Sequence, residues 1–424
     1  MKTKIKRHVL LASLFLCSTI NLFAQQRTCG TPVLPLEFEE WINQFAVQRN
    51  SADPNAQVAY VIPTIVHIIH NGEAVGTGTN ISQAQVTSQF TVLNKDFTKT
   101  NADFSSVCPA VFQAVAANCQ ITFCKALRKP SGVVLTEAGI DRVNRNTMGW
   151  SAPPYSMNYI TSTIKPATIY NPSNYLNIWV CDMSNGLLGF ATFPANSTLT
   201  GLSAPYGTAT TDGVAVLYNA FGSVGNVGFP YDLGRSATHE IGHWLGLRHI
   251  WGDAGCGNDY CNDTPTQSGP NYAGCPPFPQ VTCGNGPNGD MWVNYMDYVT
   301  DACMVMFTAN QKTRMQTCMA NGTYRVPLAN SLVCSPLGIP TEAKNTKFNI
   351  YPNPSTGMIT VDAFNMGSDL NVRIFNVVGA LVKEMRMENA IKFDVDLTAA
   401  DNGMYFMELD NGHEKVTQLF SLSK

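Results

Sequence analysis

Three histidines and one glutamate fall within the eleven residues 239–249, whose sequence is HEIGHWLGLRH. His239 and His243 are four positions apart, so on a helix they lie on one face and their imidazoles can converge on a single ion. Gly246 can take the left-handed conformation that ends a helix and turns the chain, which lets His249 approach as a third ligand. Three nitrogen ligands with a fourth position open to water are typical of catalytic zinc.

Glu240 directly follows the first histidine, so its carboxylate can reach a water bound to the ion. Three neutral ligands leave zinc enough positive charge to lower the pKa of bound water to about 7 and to polarise a peptide carbonyl. Glu240 then activates the zinc-bound water as general base and passes the proton to the leaving amine. The motif therefore predicts a zinc-dependent endopeptidase that hydrolyses peptide bonds in proteins.

Two other classes of function compete with this interpretation. A metal-bearing but inactive binding module would not need the carboxylate of Glu240. A surface adhesin, in which the larger domain is only a scaffold, would leave the zinc motif unexplained. We therefore favour the active endopeptidase, with Zn²⁺ as its catalytic cofactor and proteins or peptides as its substrates.

The elements that must position these residues are predicted from apolar periodicity. β-Branched and apolar runs predict strands over residues 58–69, 119–126, 175–182 and 214–217. Helical spacing predicts one helix over 82–95, opened by Ser82, and another over 234–247, which carries the zinc motif. Strands with helices packed on a face define an α+β domain, which we place at residues 56–335.

Residues 1–24 have the pattern of a signal peptide, with basic residues, an apolar run and a cleavage site after Ala24. The run is shorter than the roughly 20 residues that a membrane span requires, and no later segment reaches that length, so we expect no transmembrane span. Loss of the leader's four basic residues lowers the net charge from −3 to about −7, which does not favour nucleic acid. Twelve of the thirteen cysteines remain, which suits disulfides in an oxidising compartment.

A pro-segment is predicted at residues 25–55. It contains one amphipathic stretch at 36–45, where apolar residues recur at helical spacing. Residues 51–55 (SADPN) break any helix and look exposed and cleavable. Cleavage there would release the segment from the catalytic domain.

The eleven-residue motif resembles that of the metzincin clan of metallopeptidases. Residues 294–298 (NYMDY) are similar to the Met-turn of this clan, in which a methionine, here Met296, forms a hydrophobic floor under the metal. Finer features over residues 58–320, such as GRSAT at 234–238 and DTP at 263–265, resemble the pappalysin family with its ulilysin-like, cytophagalysin-type members. The resemblance implies a metzincin-type α+β catalytic domain, in which a twisted mixed sheet carries backing and active-site helices.

By this resemblance, Tyr298 stabilises the oxyanion of the tetrahedral intermediate or swings off the metal as substrate enters. A tyrosine that is only packed in the core is the alternative. The resemblance also implies the disulfides Cys256–Cys283 and Cys275–Cys303, which would tie down the loops that face the substrate.

A calcium site is implied in the loop that contains Asp259, Asp263 and the carbonyl of Thr264. This Gly- and Cys-rich stretch is where the family binds structural Ca²⁺, and hard oxygen ligands at such spacing suit that ion. An acidic turn of the same composition that only caps the chain in solvent is the alternative.

Two segments bear on substrate recognition. Residues 187–194 resemble the strand at the upper rim of the cleft, where an extended substrate adds as an extra strand; an ordinary edge strand is the alternative. Ulilysin-like enzymes prefer a basic residue just after the scissile bond, through an acidic residue shortly before a loop cysteine. Asp301 precedes Cys303, so a preference for Arg or Lys at that subsite is a hypothesis.

Residues 27–30 (RTCG) resemble a cysteine switch, in which a pro-segment thiolate, here that of Cys29, fills the open position of zinc and blocks water. A structural cysteine paired within the mature fold is the alternative. If Cys29 is a switch, the remaining eleven cysteines leave one unpaired, and Cys181 in its apolar strand is our candidate.

The last part of the chain is predicted to be a separate all-β unit. Residues 336–346 look like a linker, and short alternating segments separated by turns predict a small β-sandwich over 347–424. Segments at 350–354, 372–379 and 403–406 resemble the C-terminal sorting domain of the Bacteroidetes type IX secretion system. The resemblance implies export across the inner and outer membranes by that machinery, to a secreted or cell-surface location. A sandwich that binds carbohydrate or a protein partner is the alternative.

Overall fold

The computed structural model describes residues 26–52, 59–195, 206–335, 348–363, 366, 369–377, 379–389, 391–412 and 415–424. The chain divides into two compact units, Met1–Cys334 and Ser335–Lys424. Three predicted features lie outside the described residues: the signal peptide at 1–24, the linker at 336–346, and Asp53–Asn55 of the cleavable stretch.

A mixed sheet forms the centre of the first unit. Its strands are β1 (Tyr60–His70), β2 (Ile121–Lys125), β3 (Ile140–Asn144), β4 (Leu176–Cys181), β5 (Gly189–Ala191) and β6 (Val214–Leu217). The order is β2-β1-β4-β6-β5, and β3 pairs with the second half of β1. Pairs among β1, β2, β3, β4 and β6 are parallel, whereas β5 runs antiparallel to β6. The central strands β1 and β4 are almost wholly buried, which explains their predominantly apolar sequences.

The helices of this unit range from short turns to one of seventeen residues. They are α1 (Leu36–Ala52), α2 (Gln83–Thr98), α3 (Phe104–Val107), α4 (Ala110–Gln113), α5 (Arg145–Met148), α6 (Met157–Tyr159), α7 (Lys165–Thr168), α8 (Arg235–Trp244), α9 (Ala309–Asn321) and α10 (Arg325–Leu328). Helix α2 packs on β2, and α8 packs on β5 and β6. Among the described residues, no helix is both long enough and apolar enough to cross a membrane.

The predicted α+β fold class is confirmed, and β1, β2, β4, β6, α2 and α8 lie within a few residues of their predicted bounds. Strand β3 and helix α9 were not predicted. Helix α9 begins with a capping box, in which the Thr308 hydroxyl accepts a hydrogen bond from the Gln311 backbone while the Gln311 side chain accepts one from the Thr308 backbone. A threonine followed three positions later by glutamine is a helix start that the sequence contains.

A buried ion pair fixes the C-terminal end of α8. The Arg325 guanidinium donates to both carboxylate oxygens of Asp212 at 2.8 and 3.0 Å. Asp212 also accepts from the Trp244 indole at 3.1 Å, and the guanidinium stacks 3.5 Å above the Trp244 ring centroid. All three side chains are buried, so removing one partner would leave an uncompensated charge in the interior.

Three disulfides occur in the described part of the chain. Two are the pairs implied by the family resemblance, Cys256–Cys283 and Cys275–Cys303, and the third is Cys124–Cys334. The expectation that a single cysteine besides Cys29 stays unpaired is wrong. Among the described residues, five do: Cys108, Cys119, Cys181, Cys261 and Cys318. All five are buried, where a free thiol packs as a small hydrophobic group.

The second unit is an all-β sandwich, as predicted. Its strands are β7 (Asn349–Tyr351), β8 (Met358–Asp362), β9 (Leu370–Asn376), β10 (Leu381–Met387), β11 (Lys392–Asp396), β12 (Gly403–Asp410) and β13 (Lys415–Leu422). They form a four-stranded sheet in the order β10-β9-β12-β13 and a three-stranded sheet in the order β11-β8-β7. Alternate residues of these strands fill one apolar core, which explains the period of two in the sequence.

Candidate active site

The three motif histidines converge on one point. His239 and His243 project from α8, and Gly246 just beyond the helix has φ +90°, so the chain turns and brings His249 back toward them. The Nε2 atoms of His239 and His243 are 3.2 Å apart, and those of His243 and His249 are 3.1 Å apart. All three side chains are buried.

The other ring nitrogen of each histidine has its own acceptor. Nδ1 of His239 contacts the Tyr295 carbonyl at 2.7 Å, Nδ1 of His243 contacts the Leu247 carbonyl at 2.8 Å, and Nδ1 of His249 contacts the Asp253 carboxylate. A carbonyl or carboxylate can only accept, so each Nδ1 carries the proton and each Nε2 lone pair points into the cluster. Such partners orient metal-ligating histidines.

This donor set fits a zinc ion. The Nε2 lone pair of His243, which lies 3.2 Å from that of His239 and 3.1 Å from that of His249, would be repelled by both without a cation between them. Tetrahedral zinc with bonds of about 2.0–2.1 Å places its nitrogen ligands about 3.3 Å apart. Burial lowers the pKa of His239 well below its usual range and that of His243 to about 3, which keeps these rings in the neutral form that binds metal.

Glu240 lies beside the cluster with its side chain almost fully buried. Its Oε2 accepts from the Cys29 thiol at 3.3 Å and from the Thr31 hydroxyl at 3.0 Å. Burial raises the pKa of this carboxyl to about 7. A Cβ at Gly189 would lie 2.6 Å from Glu240 Cγ, so the absence of a side chain there lets strand β5 pack directly against the glutamate.

Met296 is fully buried and packs against α8 at Gly242, the residue before His243. A Cβ at Gly242 would lie 2.5 Å from its sulfur, so the glycine between the two helical histidines makes this contact possible. The Met296 carbonyl also accepts from the Ile250 backbone at 3.2 Å. The turn therefore supports both the helix and the segment that carries His249.

Tyr298 reaches the same cluster from the other side. Its hydroxyl is 3.1 Å from Nε2 of His249, and its ring packs edge-on against His249 and Trp251. Burial raises the pKa of the phenol, so the hydroxyl stays protonated. The ring is packed, as expected for a tyrosine with only a core role. The hydroxyl points to the histidine cluster, as an oxyanion role requires.

The predicted pro-segment crosses this site as an added strand. The Gly30 backbone donates to the Gly189 carbonyl at 2.9 Å, and the Leu188 backbone donates to the Thr28 carbonyl at 2.9 Å, so the segment runs parallel to β5. Between these bonds, Cys29 Sγ joins the three histidine nitrogens in a group whose atoms all lie within 4.8 Å of one another. The thiol therefore sits at the fourth corner of the cluster.

Two residues before the cysteine, Arg27 fills a buried pocket. Its guanidinium donates to Asp301 Oδ1 at 2.6 Å, to the Ser236 hydroxyl at 3.2 Å and to the Val299 carbonyl at 3.3 Å. It also lies 4.9 Å from the Tyr231 ring centroid. The exposed fraction is 2% for Arg27 and 0% for Asp301, so the pair is sealed from solvent.

The predicted calcium loop surrounds a cavity of about 370 Å³. Asp259 Oδ1 accepts from the Thr264 hydroxyl at 2.8 Å, while Oδ2 is buried and has no hydrogen-bond partner among the described residues. Burial raises the pKa of Asp259 to about 7. The Asp263 carboxylate instead accepts from the Thr308 hydroxyl and the Asn310 backbone at 2.7 and 2.8 Å, at the start of α9.

Two residues of the site were not singled out from the sequence. Asp253, which holds the third histidine, is four positions beyond it, and this spacing is the signal that could have identified it. Thr31 donates to Glu240 and accepts from the Ala191 backbone at 2.9 Å, which ties the N-terminal segment to both α8 and β5. No local pattern marks that threonine.

A buried three-histidine cluster with an adjacent glutamate, carried by an α+β domain, defines a zinc metalloendopeptidase. Comparison with known proteins agrees. Residues 158–320 match the family model described as pregnancy-associated plasma protein-A. The chain is 30% identical over 301 residues to an extracellular metalloprotease of Colletotrichum graminicola (69% of this chain, 90% of the relative). It is 29% identical over 297 residues to extracellular metalloprotease 1 of Coccidioides posadasii (69% and 89%).

Solved structures give the same result. Mirolysin in complex with a compound is 40% identical, with 66% of this chain and 100% of that chain covered at a TM-score of 0.57. A Tannerella forsythia promirolysin mutant is 37% identical, with 72% and 97% covered at a TM-score of 0.57. The chain therefore belongs to the pappalysin family of metzincin metallopeptidases, and zinc is its cofactor.

Residues 349–422 match the family model of the secretion system C-terminal sorting domain. The second unit is thus a type IX sorting domain, and the predicted export is confirmed: the protein is a secreted metalloprotease of a Bacteroidetes-type bacterium.

Proposed function

We propose that this endopeptidase cleaves peptide bonds that precede Arg or Lys, with Glu240 as general base. The observation that carries the specificity is the burial of the Arg27 guanidinium on Asp301, close to the histidine cluster. A charge-assisted pair that is sealed from water discriminates strongly between substrates with a basic and with a neutral residue at this position, because a neutral side chain would leave the Asp301 carboxylate unpaired.

Zinc, when bound by the three histidines, would polarise the scissile carbonyl and lower the pKa of a bound water, so that the water could lose a proton and attack the carbonyl carbon. Glu240 is placed to accept the proton of that water, and its pKa of about 7 suits a group that must take up a proton and release it again near neutrality. The same carboxyl then delivers the proton to the leaving amine. The β5 edge, which now pairs with the pro-segment, would hold the substrate backbone.

Asp301→Asn tests the specificity. The amide keeps an oxygen to accept from the Leu233 and Arg235 backbones, contacts that Asp301 Oδ2 makes at 3.0 and 3.1 Å, so the start of α8 is preserved. We expect kcat/KM for peptides with Arg after the scissile bond to fall about 100-fold. Matched peptides with Leu at that position are the control and should change little. A wild-type enzyme that cleaves both peptide series equally would contradict the proposed specificity.

Tyr298 is proposed to donate its hydroxyl to the oxyanion of the tetrahedral intermediate. Tyr298→Phe removes the donor and keeps the ring packing against His249 and Trp251. Loss of one oxyanion donor lowers kcat about 100-fold or more, and KM should stay nearly constant. Steady-state kinetics on one peptide separates the two parameters. An unchanged kcat would leave only a packing role for this tyrosine.

Cys29 is proposed to keep the enzyme latent. Its thiol occupies the fourth corner of the histidine cluster and donates to the general base. Burial raises the pKa of this thiol, but a coordinating metal deprotonates a thiol outright, so zinc would convert it to a thiolate ligand. While it stays there, neither water nor a substrate carbonyl can enter.

Structural calcium is proposed at the Asp259 loop. The buried Oδ2 of Asp259 without a partner fits a cation ligand, and the Thr264 carbonyl is nearby in the same loop, whereas the Asp263 oxygens are engaged at the start of α9. Ca²⁺ added to chelator-treated, zinc-reloaded enzyme should raise Tm for the wild type but not for Asp259→Asn. Identical Tm values with and without Ca²⁺ in the wild type would exclude the site.

A further inference from the structure

A second charged cluster lies along the pro-segment, away from the Asp301 pocket. Glu39 of α1 accepts from Arg248 Nε at 2.7 Å and from two Arg314 nitrogens at 2.5 and 3.1 Å. One carboxylate thus bridges two guanidiniums, one beside His249 in the zinc motif and one on α9. The three side chains are only 2–5% exposed.

Release of the pro-segment would remove nearly all partners of these arginines. Arg248 also donates to the Leu34 carbonyl at 2.6 Å, which belongs to the same segment. Among the described residues, Arg248 would then keep the Tyr260 ring, 5.3 Å from its guanidinium, and Arg314 would keep the Gly246 carbonyl at 2.9 Å. Asp259 acts on Arg314 by its charge, yet neither of its oxygens bonds to that guanidinium. Two neighbouring positive charges would then lack a carboxylate between them.

The pro-segment shows that one peptide can reach all these points. Along it, Arg27 contacts Asp301, Cys29 lies at the histidine cluster, and the Leu34 carbonyl contacts Arg248. The acidic pocket and the arginine pair therefore lie on opposite sides of the cluster along this path. Five residues of extended chain span at most about 18 Å, so a substrate could reach the arginine pair within about six residues of the scissile bond.

The walls beside the arginine pair are apolar. Phe38 of α1 packs against Phe193 and Tyr206, with ring centroids 6.2 and 6.0 Å apart. Removal of α1 uncovers these rings, and the Arg248 charge acts on Tyr206, so its guanidinium lies close to that ring. An acidic side chain that binds there would be shielded from water on one side, which strengthens its ion pairs.

We propose that Arg248 and Arg314 form a carboxylate-binding subsite in the mature enzyme, which selects substrates with Glu or Asp three to six residues before the scissile bond. The inference rests on the proposed function, because it needs the pro-segment to leave and places the basic residue after the scissile bond. Glu39 marks the position of the substrate carboxylate. The enzyme would then recognise a dipolar sequence, acidic before the cut and basic after it.

The test uses mature enzyme and quenched peptides that all carry Arg after the scissile bond. Glu is moved through positions three to six before that bond, and each peptide has a Gln counterpart of the same shape. We expect kcat/KM to be about tenfold higher for Glu than for Gln at one or two positions, and this ratio to fall as NaCl is raised. In Arg314→Gln the Glu-to-Gln ratio should approach one; the ratio is the measured quantity because loss of the Arg314 contact to the Gly246 carbonyl affects cleavage of both peptides alike.

Arg314→Lys is a second test in case the glutamine variant does not fold. Lysine keeps the charge but loses the two-pronged contact, so its Glu-to-Gln ratio of kcat/KM should lie between those of the wild type and Arg314→Gln. Equal rates for Glu and Gln peptides in the wild type would overturn the subsite while leaving the proposed protease function intact. If the Glu and Gln peptides are cleaved at equal rates and a synthetic peptide of residues 34–45 inhibits the enzyme, the subsite is likewise overturned, because the arginines would then bind only the pro-segment. Failure to cleave any peptide would refute the proposed function itself.

Discussion

Glu240→Ala is expected to lower kcat/KM of the mature enzyme at least about 1000-fold while the protein still binds one zinc ion per chain. General acid–base catalysis contributes about 10²–10⁴-fold, and no other described carboxylate contacts the position that Cys29 and Thr31 occupy next to the cluster. The three histidines keep their Nδ1 partners in this variant, so metal affinity should change little. Activity on a quenched peptide and metal content by elemental analysis are measured on the same samples.

Glu240→Gln is the matched control, since it retains the shape of the side chain and cannot take up a proton. Both variants should be equally inactive, which assigns the loss to the proton and not to a cavity. Cleavage within tenfold of the wild-type rate by a zinc-loaded alanine variant would rule out the general-base role. If wild type and variants all bind zinc and none cleaves any protein after pro-segment removal, an inactive binding module becomes the better interpretation.

Cys29→Ala is expected to turn the full-length proenzyme from latent to active before any cleavage of the pro-segment. A hydrogen bond or ligand contact of a charged group contributes up to about 3 kcal/mol, so its loss raises the unblocked fraction about 100-fold. The Arg27 and Glu39 contacts remain, so residual inhibition by the rest of the segment is expected. Activity is measured immediately after isolation, with intact mass confirming that the segment is still attached.

Thr28→Ala is the matched control, because its side chain is exposed and donates only to the Gln26 carbonyl at 3.4 Å. It should stay as latent as the wild type. Unchanged latency of the cysteine variant would favour the alternative of a structural cysteine. That alternative already lacks a partner thiol among the described residues, where Cys29 is unpaired.

The zinc motif and the elements around it follow from short-range sequence patterns. Histidines four positions apart must share a helix face, and Gly246 is free to adopt the positive φ that turns the chain toward His249. Buried strands such as β4 and the alternating strands of the sorting unit also follow from local periodicity. These features depend on covalent geometry within one or two turns, so the sequence alone determined the fold class, the metal and the chemistry.

The tertiary structure alone decided which distant groups meet. Arg27 and Asp301 are 274 positions apart, and Glu39 and Arg314 are 275 apart, so no local pattern pairs them. Cys124–Cys334 and the five buried free thiols likewise depend on which chain segments the sheet order brings together. Contacts at such separation arise only when the whole core closes, because their loop entropy must be offset by burial elsewhere. The sequence therefore determined the reaction, and the tertiary contacts decided which chain segment crosses the site and which charges line it.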